Sequence, residues 1–298
     1  MDKDSILNKF FEHLIYERNL SEHSVRAYKI DILAFFDWLQ RNNLDFAKCS
    51  HKKLRLYLLE LNKAQYKSKT IARKLSCIKT FYSYLLSIGA VNVNPAKLLS
   101  SPKIASTLPR VLTKEELTRI FSLFENIKDD DYLLMRDSAI IELFYACGCR
   151  ISEIENLEIH MLDFYRKQVK LFGKGKKERI VPLHDTACAK LQQYLNKARP
   201  HLAARPSNAL FLSKRGNALS SDAIRNIFKE CCRRAGLDEH LKPHDLRHTF
   251  ASTMIEGGAD LRSVQEMLGH SSLETTQIYT HINPGFMKDV HKNAHPRA

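Results

Sequence analysis

The sequence predicts a mainly α-helical protein of two domains, with a small antiparallel β-hairpin in the second. Apolar residues recur at helical spacing over most of the 298 residues, whereas residues 161–172 and 178–183 favour strands. Prolines and serines interrupt the pattern over 91–110, which we interpret as a linker. The first domain then covers residues 1–90, and the second covers residues 111–298.

The first domain is predicted to contain four helices joined by short loops, as in a small helical bundle. Ser21, Ser50 and Ser68 suit the starts of the last three helices. The apolar stripes that would form the core are Ile6, Leu7, Phe10, Phe11 and Leu14; Val25, Tyr28, Ile32, Phe35, Phe36 and Leu39; Leu54, Tyr57, Leu58 and Leu61; and Ile71, Leu75, Ile78, Phe81, Tyr82 and Leu85.

The positive charge of the chain is concentrated in one block. The formal net charge is +14, and residues 48–103 carry twelve basic residues against the single acid Glu60. Such a block in helical sequence is typical of a nucleic-acid-binding protein, and a solvated basic face is the alternative. We expect these side chains to lie opposite the core, where they would contact phosphates. The candidates for DNA contact are Lys52, Lys53, Lys69, Arg73 and Lys74.

Composition argues against several other classes of protein. The seven cysteines have no metal-binding or paired spacing, so we expect reduced thiols in or near the core. No window holds the ~18 apolar residues of a membrane span, and no apolar signal segment follows the first residues. We therefore expect a cytoplasmic protein that binds neither a membrane nor a metal.

The second domain is predicted to open at Thr113, which forms a capping-box pattern with Glu116. An apolar helix follows over 130–146, then a short helix over 151–157, and then the two strands around the turn 173–177. Further helices are expected at 185–198, 220–235, 243–256, 260–268 and 272–282, with a tail at 285–293.

Two segments of this domain suit the binding of phosphate. His244 and Arg247 are three residues apart and share a helix face. Pro243 suits the first helical turn, where free backbone N–H groups favour an anion. Arg150 lies between two apolar helices, so it is either an ordinary surface arginine or a partly buried cation that needs an anionic partner or ligand. Glu153, three residues later, is a candidate acid to orient it.

Two other patterns have competing explanations. The turn Gly-Lys-Gly-Lys-Lys lacks the spacing of a P-loop and opens no helix. It is either an ordinary charged hairpin tip or a mobile finger that carries Lys174 into a groove of nucleic acid. His244 and His248 are four apart, as in a zinc-binding pair. A zinc site is disfavoured because Asp245 replaces the glutamate of that motif and the cation Arg247 lies inside it.

The remaining candidates gain meaning only as a set. Taken singly, His270 is explained as a structural histidine and Tyr279 as an aromatic residue of an amphipathic helix. A tyrosine can attack a phosphodiester if the charge of the pentacoordinate phosphate is stabilised and the leaving oxygen receives a proton. Because the sequence has no metal-binding signature, fixed cations and hydrogen-bond donors must provide both the charge stabilisation and the proton. The chain offers Arg150, Lys174, His244, Arg247 and His270.

The segments that carry these residues resemble the signature boxes of the tyrosine recombinase (phage integrase) family. They are CGCRISEIENL, FGKGKKERIVPL, KPHDLRHTFAS, LGHSS and TTQIYTHI. The likeness extends to LSEHSVRAYKIDILAFFDWL and to the final HPRA, and it is closest to the Xer branch, which resolves chromosome dimers. It implies an N-terminal four-helix SAM-like core-binding domain and an α-rich catalytic domain with a small antiparallel sheet.

The resemblance also implies a mechanism and a set of residue roles. The enzyme would be a site-specific DNA recombinase that forms a 3′-phosphotyrosyl link and a free 5′-hydroxyl, with no metal, ATP or other cofactor. By this resemblance Tyr279 would be the nucleophile, Arg150 and Arg247 would bind the phosphate oxygens, and Lys174 would protonate the leaving oxygen. His244 would be the general acid–base, His270 would donate a hydrogen bond to the phosphate, and Glu153 would be a supporting acid.

The implied partners are DNA and further protein chains. The two domains would form a C-shaped clamp on double-stranded DNA that carries a specific recombination site. Four protomers, as a homotetramer or a heterotetramer with a second recombinase, would hold two sites, and a DNA translocase of the division machinery is a further partner. The segment 282–294 would dock on the neighbouring protomer through Ile282, Phe286, Met287 and Val290, or else pack within its own chain.

Two other functions are compatible with these residues. A type IB topoisomerase-like relaxase uses the same chemistry but rejoins the original ends. A catalytically silent DNA-binding or architectural protein would share the basic block alone. Strand exchange between duplexes excludes the first, and a covalent protein–DNA adduct excludes the second.

Overall fold

A computed structural model describes residues 3–18, 20, 22–103, 110–173, 178–269 and 284–297. The chain divides into two compact units, Met1–Thr107 and Leu108–Ala298. Both units are mainly helical, and the second contains a three-stranded antiparallel sheet, so the predicted fold class is confirmed. Among the described residues, none of the helices combines the length and the apolar character needed to cross a membrane.

The N-terminal unit begins with the helices that the apolar pattern predicts. Its elements are α1 (Lys3–Glu12, continued by a π-helical turn His13–Glu17), α2 (Glu22–Arg41), a 3₁₀ turn (Phe46–Lys48), α3 (His51–Lys63) and α4 (Ser68–Ser87). Ser50 caps α3 as predicted, accepting a hydrogen bond from the Lys53 N–H. The cap predicted at Ser68 is wrong, because Ser68 is already helical and Lys67 precedes it without a side-chain cap. Ser21 lies outside the described residues.

The predicted apolar stripes pack into one core. Phe35, Phe81 and Tyr82 are fully buried at its centre, and Phe11, Val25, Tyr28 and Leu58 are half-buried at its edge. The core also takes in Val91, Ala96 and Leu99 from beyond α4. The first part of the interval 91–110 therefore belongs to this unit, whereas residues 104–109 lie outside the described residues.

A buried acid, Asp31, holds two of the predicted DNA contacts. Its carboxylate is 1% exposed and forms ion pairs with Arg73 and with the Lys74 ammonium, the latter at 3.2 Å. The expectation that Lys74 lies opposite the core is wrong, because its side chain is only 7% exposed and turns toward the counterion on α2. Arg73 is 41% exposed. The side chains of the other three candidates, Lys52, Lys53 and Lys69, are exposed.

Replacing Asp31 with Asn should destabilise the N-terminal unit by about 3–5 kcal/mol, because Lys74 is then buried without a counterion. Trp38 is the single tryptophan of the chain and is 2% exposed in this core. Urea unfolding followed by tryptophan fluorescence therefore reports on this unit. The control Lys69→Met changes an exposed residue and should stay within about 0.5 kcal/mol. An equally small effect of Asp31→Asn would contradict the stabilising role of the pair.

The C-terminal unit also follows the predicted order. Its elements are α5 (Lys114–Ser122), α6 (Tyr132–Cys147), α7 (Ile151–Glu155), β1 (Leu162–Asp163), β2 (Gln168–Phe172), β3 (Glu178–Pro182), α8 (Asp185–Gln193, continued by a π-helical turn Tyr194–Ala198), α9 (Arg199–Leu202), α10 (Ser221–Arg234), α11 (Pro243–Glu256), α12 (Leu261–Leu268) and α13 (Pro284–Ala294).

Local signals place several of these elements accurately. The capping box of Thr113 and Glu116 is present, and α11 has the predicted bounds at both ends. The segment predicted as one strand over 161–172 contains a turn at 164–167, so it forms two strands. The helix expected at 272–282 lies outside the described residues.

The sheet has the antiparallel order β1–β2–β3. Its β2–β3 hairpin pairs Leu171 with Arg179 and Phe172 with Glu178, which confirms the predicted hairpin. Residues 174–177 of the turn lie outside the described residues. Val169, Leu171 and Val181 are fully buried between the sheet and the core. All seven cysteines are free and buried, as expected.

Helix α13 packs on its own unit. Met287 and Ala294 are buried, and the backbone of Ala294 lies so close to Gly257 that a Cβ at position 257 would be 2.2 Å from the Ala294 carbonyl oxygen. Packing within the chain, the alternative to docking on a neighbour, is therefore what the described residues show. Ile282 and the side chain of Phe286 lie outside them.

Three stacked histidines anchor this helix. The ring of His295 lies 4.7 Å from that of His184 and 4.8 Å from that of His291. His291 and His295 each donate a hydrogen bond to a carbonyl group at the end of α6. Beside them, Arg297 donates two hydrogen bonds to the buried Glu142, whose carboxylate is 3.5 Å from His184. Burial is the main cause that lowers the pKa of His184 to about 2 and of His295 to about 3.

These lowered pKa values make the stability of the fold depend on pH. In the unfolded chain the imidazoles take up protons near pH 6.5, whereas in the fold they do so only at much lower pH. The unfolded state therefore binds more protons as the pH falls, so stability is complete above about pH 6.5 and decreases below it.

The free energy of unfolding of the wild type should decrease between pH 7 and pH 5. In His295→Gln this decrease should be smaller by about 2 kcal/mol, because one titrating imidazole is absent. The measurement is denaturant unfolding at both pH values, followed by circular dichroism. Trp38 fluorescence identifies the transition of the N-terminal unit, and the remaining transition belongs to the C-terminal unit. His160→Gln is the matched control in the same unit, since His160 is 69% exposed. Equal pH dependence in the wild type and His295→Gln would contradict the assignment.

Candidate active site

Two arginines of the C-terminal unit are held by the ends of helices. Gly148 ends α6 and Gly269 ends α12, both in the left-handed backbone region that favours glycine. Arg247 is buried and donates hydrogen bonds at 2.5 Å to the carbonyls of Gly148 and Leu268. Arg150 donates one at 3.1 Å to the carbonyl of Gly269. Helix C-termini carry partial negative charge, so they stabilise these cations where they lie.

Glu153 is the carboxylate on which this group of cations converges. It accepts hydrogen bonds from the backbone N–H of Arg150 at 2.8 Å and from the Arg150 guanidinium at 3.0 Å. The anionic partner expected for Arg150 is thus present. Arg179 binds both carboxylate oxygens, at 2.6 and 2.7 Å, and donates from Nε to the Met267 carbonyl at 2.7 Å.

The charges in this cluster act strongly on one another. Burial opposes ionisation of Glu153, but Arg179 and then Arg150 outweigh it and hold the pKa of this carboxyl below its usual range. Burial, followed by repulsion from Arg150, lowers the pKa of Arg247 to about 10. Arg247 is still a cation at neutral pH. The site therefore holds concentrated positive charge, which favours an anionic ligand.

His244 lies at the N-terminal end of α11. The helix starts with Pro243 as predicted, and Asp245 accepts a hydrogen bond at 2.7 Å from the Lys242 N–H. The ring of His244 lies 4.4 Å from that of His248. Partial burial, and then repulsion from His248 and Arg247, lowers the pKa of His244. Its imidazole is therefore neutral at pH 7 and can accept a proton.

The structure brings together the predicted site residues that it describes. Arg247 binds the carbonyl of Leu268, and Arg150 binds the carbonyl of the next residue, Gly269. His244 precedes Arg247 by one turn of α11, so the three side chains lie in one region of the unit. Lys174, His270 and Tyr279 lie outside the described residues. In the sequence, His270 follows Gly269 directly and Lys174 falls between the residues of β2 and β3.

Arg179 is a site residue that the sequence did not predict. Among the five charged residues of the Lys174–Arg179 stretch it has no distinguishing local feature. The alternation of the strand carries the signal, because residues 179 and 181 share a face and Val181 is fully buried. An arginine on the inward face of a strand requires a buried counterion, which is Glu153.

Comparisons with known proteins identify the family of the chain. Residues 110–285 match the description "Phage integrase family", and residues 7–89 match "Phage integrase, N-terminal SAM-like domain". Together these matches cover most of the chain, which belongs to the phage integrase family.

Within that family the chain is a tyrosine recombinase of the Xer type. It is 38% identical over 296 residues to tyrosine recombinase XerC of Anoxybacillus flavithermus, covering 98% of each chain. It is 39% identical over 295 residues to tyrosine recombinase XerD of Chlorobaculum tepidum, covering 98% of this chain and 96% of the relative. The protein is therefore an enzyme that recombines DNA at specific sites.

Solved structures share the fold. XerH recombinase bound to a palindromic difH substrate in a post-cleavage complex aligns with a TM-score of 0.72 and 20% identity, covering 94% of this chain and 78% of that one. A lambda integrase dimer bound to a COC′ core site aligns with a TM-score of 0.66 and 18% identity, covering 95% and 100%.

The lowered pKa of His244 can be measured directly. In the free protein its imidazole should titrate below pH 6.5, and His248→Gln should raise the midpoint because a neighbouring positive charge is removed. Proton NMR of the histidine rings measures both, with His244→Gln to assign the signal. A wild-type midpoint at or above 6.5, or no shift in His248→Gln, would contradict the electrostatic account.

Proposed function

We propose that the phosphate at the point of strand exchange is bound and cleaved by the residues around the Arg150–Arg247 pair. The observation that carries this proposal is the geometry of the two guanidinium groups, which helix ends and Glu153 hold in place while leaving the region positively charged. Guanidinium groups bind the non-bridging oxygens of a phosphodiester with two parallel hydrogen bonds, which lysine cannot reproduce.

In the proposed reaction Tyr279 is the nucleophile. Its oxygen attacks the phosphorus, the bond to the 5′-oxygen breaks, and a 3′-phosphotyrosyl link and a free 5′-hydroxyl form. Lys174 gives a proton to the leaving 5′-oxygen. Arg150, Arg247 and His270 stabilise the charge on the non-bridging oxygens. The reverse reaction with a 5′-hydroxyl of another strand completes the exchange, and it requires no ATP, metal or other cofactor because the phosphotyrosyl bond preserves the phosphodiester energy.

His244 is the proposed acid–base partner of the tyrosine. An unperturbed tyrosine has a pKa near 10, so it needs a proton acceptor at neutral pH. The lowered pKa of His244 supports this role, since the imidazole is neutral and can take the phenolic proton. Glu153 supports the site through its hydrogen bonds to Arg150.

The N-terminal unit is proposed to bind the DNA duplex through its basic block. The exposed side chains of Lys52, Lys53 and Lys69 suit contact with phosphates. Arg73 retains partial exposure beside Asp31, whereas Lys74 is committed to the buried ion pair. Both remain candidates by sequence, but the first three carry most of the proposed contact.

The biological task follows from the Xer-type relatives. We propose that the protein resolves chromosome dimers in the cytoplasm during segregation, acting on two copies of a specific recombination site. The functional unit would be a tetramer, of this chain alone or of this chain with a second recombinase, and a DNA translocase of the division machinery is a proposed further partner.

The covalent intermediate gives a direct test. DNA sites selected from random and genomic fragments are rebuilt as nicked suicide substrates, which trap the cleaved state. The wild type should form a covalent adduct and Tyr279→Phe should form none while binding the site equally well. Arg150→Ala should slow adduct formation by about 10²–10³-fold, since one fixed donor group is lost. Denaturing gel electrophoresis of labelled DNA measures each rate.

The leaving-group role of Lys174 has its own readout. A substrate with sulfur in place of the bridging 5′-oxygen needs no proton on departure, so it should restore cleavage by Lys174→Ala but not by Arg150→Ala. Failure of the sulfur substrate to restore Lys174→Ala would contradict that role. Supercoil relaxation without exchange between duplexes would instead support a relaxase, and site binding without any wild-type adduct would support an architectural protein.

A further inference from the structure

We propose that Arg179 is a positioning residue for DNA cleavage, which acts by fixing Glu153 and thereby directing the guanidinium of Arg150 toward the scissile phosphate. The inference rests on the proposed role of Arg150 in phosphate binding. It adds a residue from strand β3 that does not itself contact the DNA.

The contacts of Arg179 are made within the protein. Its side chain is 10% exposed and donates three hydrogen bonds, two to the oxygens of Glu153 and one to the carbonyl of Met267. Hydrogen bonds and charge from Glu153 raise the pKa of Arg179 despite its burial, so it is a permanent cation. A buried guanidinium with these partners acts on the carboxylate and on the last turn of α12.

Arg179 and Arg150 share the two carboxylate oxygens of Glu153 as hydrogen-bond acceptors, which explains how Arg179 directs Arg150. Arg179 binds one oxygen through each Nη, so the Arg150 side chain makes a single hydrogen bond, from Nη1 to Oε1. The other terminal nitrogen of Arg150 donates to the Gly269 carbonyl. Without Arg179, Glu153 would be free to bind Arg150 through both oxygens or to take up a proton. Either change turns Arg150 away from the orientation that a phosphate requires.

Arg179 also joins parts of the site that are distant in sequence. It lies opposite Leu171 in the hairpin that carries Lys174 at its turn. It also contacts the end of α12, where a Cβ added to Gly269 would lie 3.1 Å from the Arg179 Cδ. The residue therefore connects the hairpin, the α7 carboxylate and the peptide that leads into His270. Residues that orient metal ligands typically change activity by about 10–100-fold when they are replaced, and we expect an effect of similar size for Arg179.

The test separates cleavage from DNA binding. Arg179→Met should lower the single-turnover cleavage rate on the nicked suicide substrate by about 10–100-fold, with the dissociation constant for that DNA within about twofold of the wild type. Arg179→Lys, which retains the charge and one hydrogen bond to Glu153, should recover part of the rate.

The matched control is Arg136→Met. Arg136 is also a buried arginine of this unit, 8% exposed, and it binds the Asp137 carboxylate and the Leu212 carbonyl, none of which belongs to the site. The two substitutions remove comparable buried contacts, so the control reports the effect of lost stability alone. It should cleave at close to the wild-type rate at a temperature where both variants are folded by circular dichroism.

A double-mutant cycle with Glu153→Gln tests the path of the effect. If Arg179 acts through Glu153, the double variant should lose no more activity than the more impaired single variant, because the two residues act as one unit. The substrate with bridging sulfur should not restore Arg179→Met, since the defect lies at the arginine clamp and not at the leaving oxygen.

Three results would overturn the inference. The first is cleavage by Arg179→Met as fast as by Arg136→Met, and the second is a double variant whose loss of rate equals the product of the two single losses. The third is restored cleavage of the sulfur substrate by Arg179→Met, which would mean that Arg179 acts through Lys174. Absence of an adduct with the wild type would instead reject the proposed site as a whole, and this inference with it.

Discussion

The buried carboxylate of Glu153 is the interaction on which the rest of the site depends. Placing guanidinium groups of Arg150, Arg179 and Arg247 near one another is unfavourable in a partly buried region, because each charge loses hydration and repels the others. Glu153 neutralises two of them through direct hydrogen bonds. Burial, and then the positive charge of Arg150, lowers the pKa of Arg247 in the free protein. Under the proposed function, a phosphate oxygen bound beside Arg150 and Arg247 would supply a further negative charge to these two cations.

Helix ends provide the second component of this arrangement. The carbonyls of Gly148, Leu268 and Gly269 accept from the arginines just where α6 and α12 terminate, so no separate loop is needed to hold the cations. The glycines have two functions there. They adopt the left-handed backbone, and at Gly148 a Cβ would lie 2.6 Å from the ring of Phe250. Close packing of two helix ends and the orientation of two guanidinium groups therefore have the same structural cause.

Local patterns predicted most of the fold, and long-range charge pairing explains what they missed. Periodicity and capping gave the order of the helices, because each signal lies within a few residues of the element that it specifies. Lys74 and Arg179 could not be placed in this way. Their buried positions depend on Asp31 and Glu153, which lie 43 and 26 residues away in the chain. A basic residue appears solvent-exposed in a sequence until its counterion is known. For Arg179, the position on the inward face of β3 indicates that the side chain is buried, but it does not identify Glu153 as the counterion.

The helices on either side of the segment that carries the proposed nucleophile are both held by buried polar contacts. Tyr279 belongs to the 14 residues between Gly269 and Pro284, and both flanking elements are anchored. On one side, the arginine cluster binds the carbonyls that end α12. On the other, stacked neutral histidines hold α13 against α6, at a place where protonation is costly. The described elements on both sides of this interval are therefore fixed to the core of the unit, one at the arginine cluster and the other at the histidines. If Tyr279 is the nucleophile, as proposed, both ends of the segment that carries it depend on buried polar contacts: the arginine hydrogen bonds at α12 and the hydrogen bonds of His291 and His295 to the end of α6.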